Sequence, residues 1–278
     1  MDASRFDRMA KLFDSHQRIV PTWLAAARYL RTQPNGRASN VILEISDPLS
    51  LTDDDREVIA RVDAVLRADL TVRTAAGTIF PQDMYRRFGR PAFYEKYLEM
   101  LKRGKKPGWG TYALRMIEYT GRDSYTRLNP LETIVKRLSP AGTPTNARGR
   151  EIEYRSAYEL SFARPAHDLG AGDDLPQDLP IYDAAIDGAR WYGGPCLSHV
   201  SFKRAPSEGG AAIDMTALYR SHHYCERALG NLIGLSWLLR FVATESGHRV
   251  GTLTCVSTDA VLVPSEWGGV AAVGTVLG

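Results

Sequence analysis

Cysteine is scarce in this chain: 278 residues contain only Cys196, Cys225 and Cys255. Their spacings fit neither a disulfide framework nor a Cys-x-x-Cys metal knuckle, so a reducing, cytoplasmic setting is expected. Long apolar runs are missing too. No stretch reaches the roughly 18 uninterrupted apolar residues of a membrane helix, so no membrane partner is expected. Asp2, Arg5, Asp7, Arg8, Lys11 and Asp14 interrupt the first twenty residues, and no secretory signal is expected there. Charge of one sign is not in excess: 35 Lys+Arg against 32 Asp+Glu leave +3, with both signs interspersed. That balance is too mild for a nucleic-acid partner. No internal repeat or low-complexity tract is visible.

What is present is ordinary globular material, 44% hydrophobic and 24% charged, enough for a sizeable core in one large domain or two small ones. Thr22–Arg31 is apolar on one face and reads as a helix, broken by Pro34-Asn35-Gly36 and followed by a short strand, Val41–Ile45. Thr52-Asp53-Asp54-Asp55 is a capping pattern that opens a helix with Val58, Ile59, Val62, Val65 and Leu66 at helical spacing. Pro91–Lys102 and Leu131–Leu138 predict two more helices, while Lys102–Gly108, Ser139–Gly149 and Leu169–Pro180 predict loops. Leu197–Phe202 and Ile213–Tyr219 predict strands flanking a turn over Arg204–Gly210. Asn231–Glu245 is apolar nearly all round, as a core helix is, and Gly251–Val263 predicts a final strand. The order implies an α+β fold with antiparallel or mixed strands.

The chemistry is concentrated in the last third. Cys196 follows Gly194-Pro195 ahead of a strand, where a ligand can reach a thiol and a neighbouring guanidinium would favour its thiolate. Arg220-Ser221, at the end of the next strand, supplies a guanidinium and a hydroxyl, the donors of a phosphate clamp. The run His222-His223-Tyr224-Cys225-Glu226 invites a metal reading. Its members are adjacent rather than spaced for one face, so no metal is expected; His222 and His223 either line a pocket beside Arg220 or are partly buried polar residues. His199 reads as structural rather than as a base.

Pro195-Cys196, a strand, a turn, a second strand ending in Tyr219-Arg220-Ser221, and Asn231 eleven positions after Arg220 together resemble the thymidylate synthase family, which includes pyrimidine nucleotide hydroxymethylases. The resemblance covers about residues 190–260. It implies a single thymidylate synthase-like domain over 1–278, a mixed sheet packed on helices, and sheets stacked back to back in a homodimer. It makes Cys196 the nucleophile, Arg220 and Ser221 the holders of a nucleotide phosphate, and Asn231 the reader of N3 and O4 of uracil. Gly110-Thr111-Tyr112 resembles the tyrosine segment that places a phenol and an ordered water near the base. Arg37, after Asn35-Gly36, resembles the arginine of a mobile loop that reaches the phosphate, and Arg148 and Arg150 resemble the pair lent across the dimer. The implied reaction is methylation or hydroxymethylation at C5 of a pyrimidine nucleoside monophosphate, through a covalent Cys196 adduct and 5,10-methylenetetrahydrofolate.

Several residues depart from the family pattern. Val261 and Val263 stand where a His and a Tyr bind the deoxyribose 3′-hydroxyl, and valine can make neither hydrogen bond. His223 replaces an aspartate that contacts the folate pterin, Glu226 and Arg227 replace a Leu-Gly pair, and Ser201 replaces a Gln. No glutamate near Thr78-Ile79-Phe80-Pro81 matches the family's general base; Gln82, Asp83 and Glu95 are the nearest candidates. The chain also stops at Gly278, without the long C-terminal segment that closes over folate. These departures point to a specialised enzyme. A non-catalytic nucleotide-binding dimer and folate-independent thiol addition at C5 remain as alternatives.

Overall fold

The computed structural model describes residues 10–13, 17–103, 111–120, 127–149, 152, 158–160, 195–208 and 210–278. In chain order its elements are strand β1 (Lys11–Phe13), helix α1 (Ile19–Thr32), strand β2 (Arg37–Ile45), and helices α2 (Asp53–Val65), α3 (Val72–Ile79), α4 (Gln82–Phe88), α5 (Ala92–Arg103) and α6 (Tyr112–Ile117). A two-stranded ribbon, β3 (Tyr119–Thr120) and β4 (Arg127–Leu128), precedes helix α7 (Pro130–Leu138) and strand β5 (Glu159–Leu160). Strands β6 (Leu197–Ser207), β7 (Gly210–Tyr219) and β8 (His222–His223), helix α8 (Ala228–Glu245), strand β9 (Arg249–Val261) and helix α9 (Val270–Leu277) complete it. The chain separates into two compact units, one of Met1–Gly77, Thr216–Trp237 and Gly251–Gly278, the other of Thr78–Met215 and Leu238–Val250.

In the first unit β2 lies antiparallel to β9, with Val41 opposite Ser257 and Leu43 opposite Cys255, while β1 runs parallel to β2 and β8 parallel to β9. The sheet is therefore mixed, as expected. Alternation along β2 sends Val41, Leu43 and Ile45 into the core, where α1 packs on the strand through Trp23, Ala26, Ala27 and Leu30. Helix α2 starts on the predicted box: Thr52 Oγ1 accepts from the Asp55 amide, and Asp55 Oδ2 accepts from the Thr52 amide. Arg18 Nε donates to the same carboxylate oxygen at 2.7 Å and, with the cap, holds the Asp55 carboxyl below its ordinary range against the cost of its burial.

In the second unit β6 pairs antiparallel with β5, Glu159 opposite Ser201, and neighbours β7. Phe241 is the centre of an aromatic cluster, with ring centroids 4.9 Å from Phe80, 4.9 Å from Tyr85 and 5.4 Å from Phe93. At its edge Arg90 forms a two-toothed bond to Glu132, Nε at 2.7 Å and Nη2 at 2.8 Å, and reaches Glu245 at 3.4 Å; Tyr94 and Tyr85 donate to the same two carboxylates. No helix among the described residues is long and apolar enough to cross a membrane.

Local expectations change in three places. The turn predicted over Arg204–Gly210 is shorter, because β6 runs on to Ser207 and β7 begins at Gly210. Pro206 is tolerated because it sits near the exposed end of β6. Arg37 opens strand β2 instead of lying on a loop, its backbone paired opposite Val261. Helix α8 starts at Ala228, so Asn231 belongs to its first turn and is not its first residue. Helices α3, α4, α6 and α9 are additional to the predicted set. The loop predicted at 169–180 lies outside the described residues, as does most of that at 102–108.

The placement of Asn231 depends on the residue before it. A Cβ on Gly230 would stand 2.5 Å from the Ala75 Cβ and 2.7 Å from the Val72 carbonyl oxygen, so α8 can approach α3 only through a glycine. Gly230→Ala is expected to destabilise the protein by about 1–3 kcal/mol through overpacking, read as a lowered denaturation midpoint; an unchanged midpoint would show that α3 yields freely.

Candidate functional site

Burial sorts the three cysteines. Cys225 and Cys255 are 2% and 0% exposed, and desolvation pushes both thiols up to about 12. Cys196 alone is half-buried, immediately before β6. Only this thiol can meet a ligand without the fold opening. Its backbone is held from α6: the phenolic oxygen of Tyr112 accepts from the Cys196 amide at 2.9 Å and from the Leu197 amide at 3.2 Å. Tyr112 is 6% exposed and sits one residue inside its helix, behind Thr111, whose hydroxyl caps α6 by accepting from the Leu114 amide. Its hydroxyl oxygen therefore secures the turn that carries the thiol.

Along β6, residues 199, 201 and 203 share one face, and all three reach the carboxylate of Glu159 on β5. His199 Nε2 stands 2.9 Å from Oε2, Ser201 Oγ donates to Oε1 at 3.0 Å, and Lys203 Nζ donates to the same Oε1. The Ser201 departure thus serves a strand-to-strand brace, and His199 is part of it. That brace was missed at the sequence level, although the period-two polar spacing His199, Ser201, Lys203 is its signal. The candidates for a general base are scattered: Asp83 and Glu95 are exposed on α4 and α5, while Gln82 is buried with neither end of its amide hydrogen-bonded. Arg148 is exposed, its amide donating to Asn146 Oδ1. Arg150 and Gly110 lie outside the described residues.

The remaining candidates belong to the first unit. Arg220 is exposed just past the end of β7, and Ser221 is half-buried beside it. The next residue, His222, is 1% exposed and ties the region together. Its ring stacks on Tyr219 at 4.0 Å with 2° between planes; Nδ1 is 2.9 Å from Ser257 Oγ and Nε2 is 3.2 Å from Asn231 Nδ2. An amide nitrogen only donates, so Nε2 accepts and Nδ1 carries the proton that is given to Ser257. Burial, with His223 next to it, pushes the His222 pKa down to about 3, and the ring stays neutral. Asn231 itself is 6% exposed. Arg37 pairs with Asp259, Nε to Oδ1 3.3 Å, at the start of β2 and near the end of β9. Val261, 4% exposed, ends β9 with an apolar side chain.

His223 points elsewhere. Its Nδ1 is 2.6 Å from Glu266 Oε1, and the other carboxylate oxygen, Oε2, is buried without a hydrogen-bond partner among the described residues. Among the described residues no group of three or more His, Cys, Asp or Glu side chains could hold a metal ion. The bond to Glu266 raises the His223 pKa above its ordinary 6.5, against the opposing effect of burial. A raised folded-state pKa means that the pair's stabilisation is fully present below about pH 6.5 and is lost as pH rises through the higher folded value. An NMR titration of the His223 ring should give a midpoint above 6.5 that falls on Glu266→Gln; a midpoint at or below 6.5 in the wild type would contradict the pairing.

No protein-family model matches the chain. Three archaeal proteins described as "Putative thymidylate synthase" are similar to it: one from Methanococcoides burtonii, 32% identical over 89 residues, one from Methanosarcina barkeri, 36% over 73 residues, and one from Methanosarcina mazei, 34% over 73 residues. The matches cover 32%, 26% and 26% of this chain. The chain spans about a third of the length of these relatives, 37% of the first and 32% of the others. Over these partial stretches the chain is similar to proteins described as putative thymidylate synthases, the family that the spaced pattern of Cys196, Arg220, Ser221 and Asn231 resembles.

Proposed function

We propose that the protein transfers a one-carbon unit to C5 of the pyrimidine ring of a nucleoside monophosphate. The observation that carries this reading is the accessible Cys196 thiol, held at its backbone by Tyr112 while the other two thiols are shut in. In the proposed reaction the Cys196 thiolate adds to C6. A sulfur–carbon bond forms, and the C5=C6 electron pair moves toward C5 and O4, making C5 a carbon nucleophile. After C5 is substituted it loses its proton, the C5=C6 bond re-forms, and the sulfur leaves C6 as thiolate. Tyr112 keeps the nucleophile's turn in one conformation through these steps. Arg220 and Ser221 would bind the phosphate, and Asn231 would face the N3–O4 edge and stabilise charge developing on O4.

A folate would supply C5 with an electrophilic carbon at the methylene level, its nitrogen taking the carbon–nitrogen electron pair on leaving, and would also give a hydride where the product is a methyl group; water would supply the oxygen of a hydroxymethyl product. Its aminopyrimidinone ring presents N–H donors, which call for a carboxylate acceptor. Position 223 holds a histidine instead of the family's aspartate, yet the Glu266 carboxylate beside it has one oxygen without a partner, so these residues fit the group. His223 would orient that carboxylate, and Glu266 would receive the ring's donors. The valines at 261 and 263 favour a sugar other than ordinary deoxyribose, and the uncharged, donor–acceptor side chain of Asn231 favours uracil. A homodimer with sheets back to back is the expected assembly, in which the exposed Arg148 could serve the partner's phosphate.

Incubating the protein with UMP, dUMP, CMP and dCMP, each with labelled methylenetetrahydrofolate, tests the reading by mass spectrometry of the nucleotide. A methyl or hydroxymethyl increment is expected on a uracil nucleotide, with loss of turnover by a factor of about 1,000 or more in Cys196→Ser. Product formed equally by the Cys196→Ser variant, or by none of the four nucleotides with the wild type, would contradict it.

A further inference from the structure

We infer that His222 is a positioning residue that locks the amide of Asn231 in one of its two orientations and so sets which pyrimidine edge the site reads. The inference deepens the proposed function and rests on Asn231 facing the base. A carboxamide is nearly symmetric in shape but not in chemistry: rotated by half a turn, it exchanges a donor for an acceptor. The exchange matters because the pyrimidine edges are themselves exchanged. Uracil offers O4 as acceptor and N3–H as donor, whereas cytosine offers the 4-amino group as donor and N3 as acceptor. An asparagine free to rotate can satisfy either edge, so asparagine alone does not discriminate.

Here the rotation is opposed by a chain of coupled polarities, in which a turned amide would need the proton on His222 Nε2 and the Ser257 hydroxyl turned to donate to Nδ1. Asn231 Nδ2 stands 3.2 Å from His222 Nε2, and His222 Nδ1 stands 2.9 Å from Ser257 Oγ. Turning the Asn231 amide would bring Oδ1 against Nε2, two acceptors facing each other in a buried place. To relieve that clash the imidazole would have to move its proton to Nε2 or turn its ring. The ring is clamped by the parallel Tyr219 at 4.0 Å and by Tyr224 edge-on at 5.5 Å. One Nδ2 hydrogen is thus committed to His222. The other, together with Oδ1, forms a donor–acceptor pair in one order, which on the proposed reading is the order that a uracil-type edge meets. The sequence left His222 as either a pocket residue beside Arg220 or a buried polar residue; the structure makes it the buried one, directed to Asn231.

Calorimetric affinities for UMP against CMP, and for dUMP against dCMP, in the wild type, His222→Leu and His222→Gln test this, since the sugar and phosphate are identical within each pair. Leucine offers no acceptor to Asn231, and glutamine can offer its amide oxygen. The preference for the uracil nucleotide is expected to fall by about tenfold in His222→Leu, the cost of one buried mispaired group, and to return in His222→Gln. Independently of any variant, ¹⁵N NMR of the wild-type imidazole should show Nδ1 protonated and Nε2 bare. An unchanged preference in folded His222→Leu, or a proton on Nε2, would overturn the inference and leave the proposed function standing. Binding of none of the four nucleotides to the wild type would overturn both.

Discussion

The first unit is organised around a histidine that cannot be charged. His222 is buried, so each nitrogen needs a partner, and the two come from different elements, Ser257 on β9 and Asn231 on α8. Leaving either unpaired would cost about 1–3 kcal/mol, which makes the arrangement self-enforcing. The strand end that carries Arg220 and Ser221, the first turn of α8 and the last strand are thereby tied to one ring. Gly230 is the packing counterpart of this polar constraint. It lets α8 descend onto Val72 and Ala75, so that Asn231 arrives at hydrogen-bonding distance from Nε2.

A comparable economy governs the second unit. Thiol chemistry needs a sulfur that is reachable yet fixed, and the two requirements conflict: turns are accessible but loose, strands are fixed but covered. The structure meets both by placing Cys196 just before β6 and using the buried Tyr112 hydroxyl as the acceptor that the first backbone amides of the strand would otherwise lack. Farther along β6, Glu159 gathers His199, Ser201 and Lys203 and fixes the pairing of β5 with β6. Ser201, where the resemblance calls for a Gln, is part of this brace.

Legibility in the sequence followed the range of the interaction. The capping box of α2 and the core character of α8 are local, and the residues announced them. Cys196, Arg220, Ser221 and Asn231 are legible as a spaced pattern that resembles the thymidylate synthase family, because short motifs and their separations are read directly along the chain. The start of α8 was misplaced by three residues because Ala228, Leu229 and Gly230 carry no strong signal, and the turn after β6 was overextended because Pro206 and the glycines outweighed a strand that continues at its exposed end. What remained hidden were pairings across long chain separations. His222 with Ser257, Arg90 with Glu132 and His223 with Glu266 are 35, 42 and 43 residues apart, and nothing local in either partner names the other. His223 is the clearest case: read as either a pocket residue or a partly buried polar one, it is paired with a carboxylate 43 residues away.

The central claim is that one thiol of three is built to add to a pyrimidine. Its most direct measurement is a peptide map after incubation with 5-fluoro-UMP or 5-fluoro-dUMP and methylenetetrahydrofolate, since fluorine at C5 cannot leave as the proton does and holds the adduct in place. The account predicts a nucleotide mass on the peptide bearing Cys196 and none on those bearing Cys225 or Cys255. An unmodified Cys196 peptide, or modification of either buried cysteine in the folded protein, would contradict it.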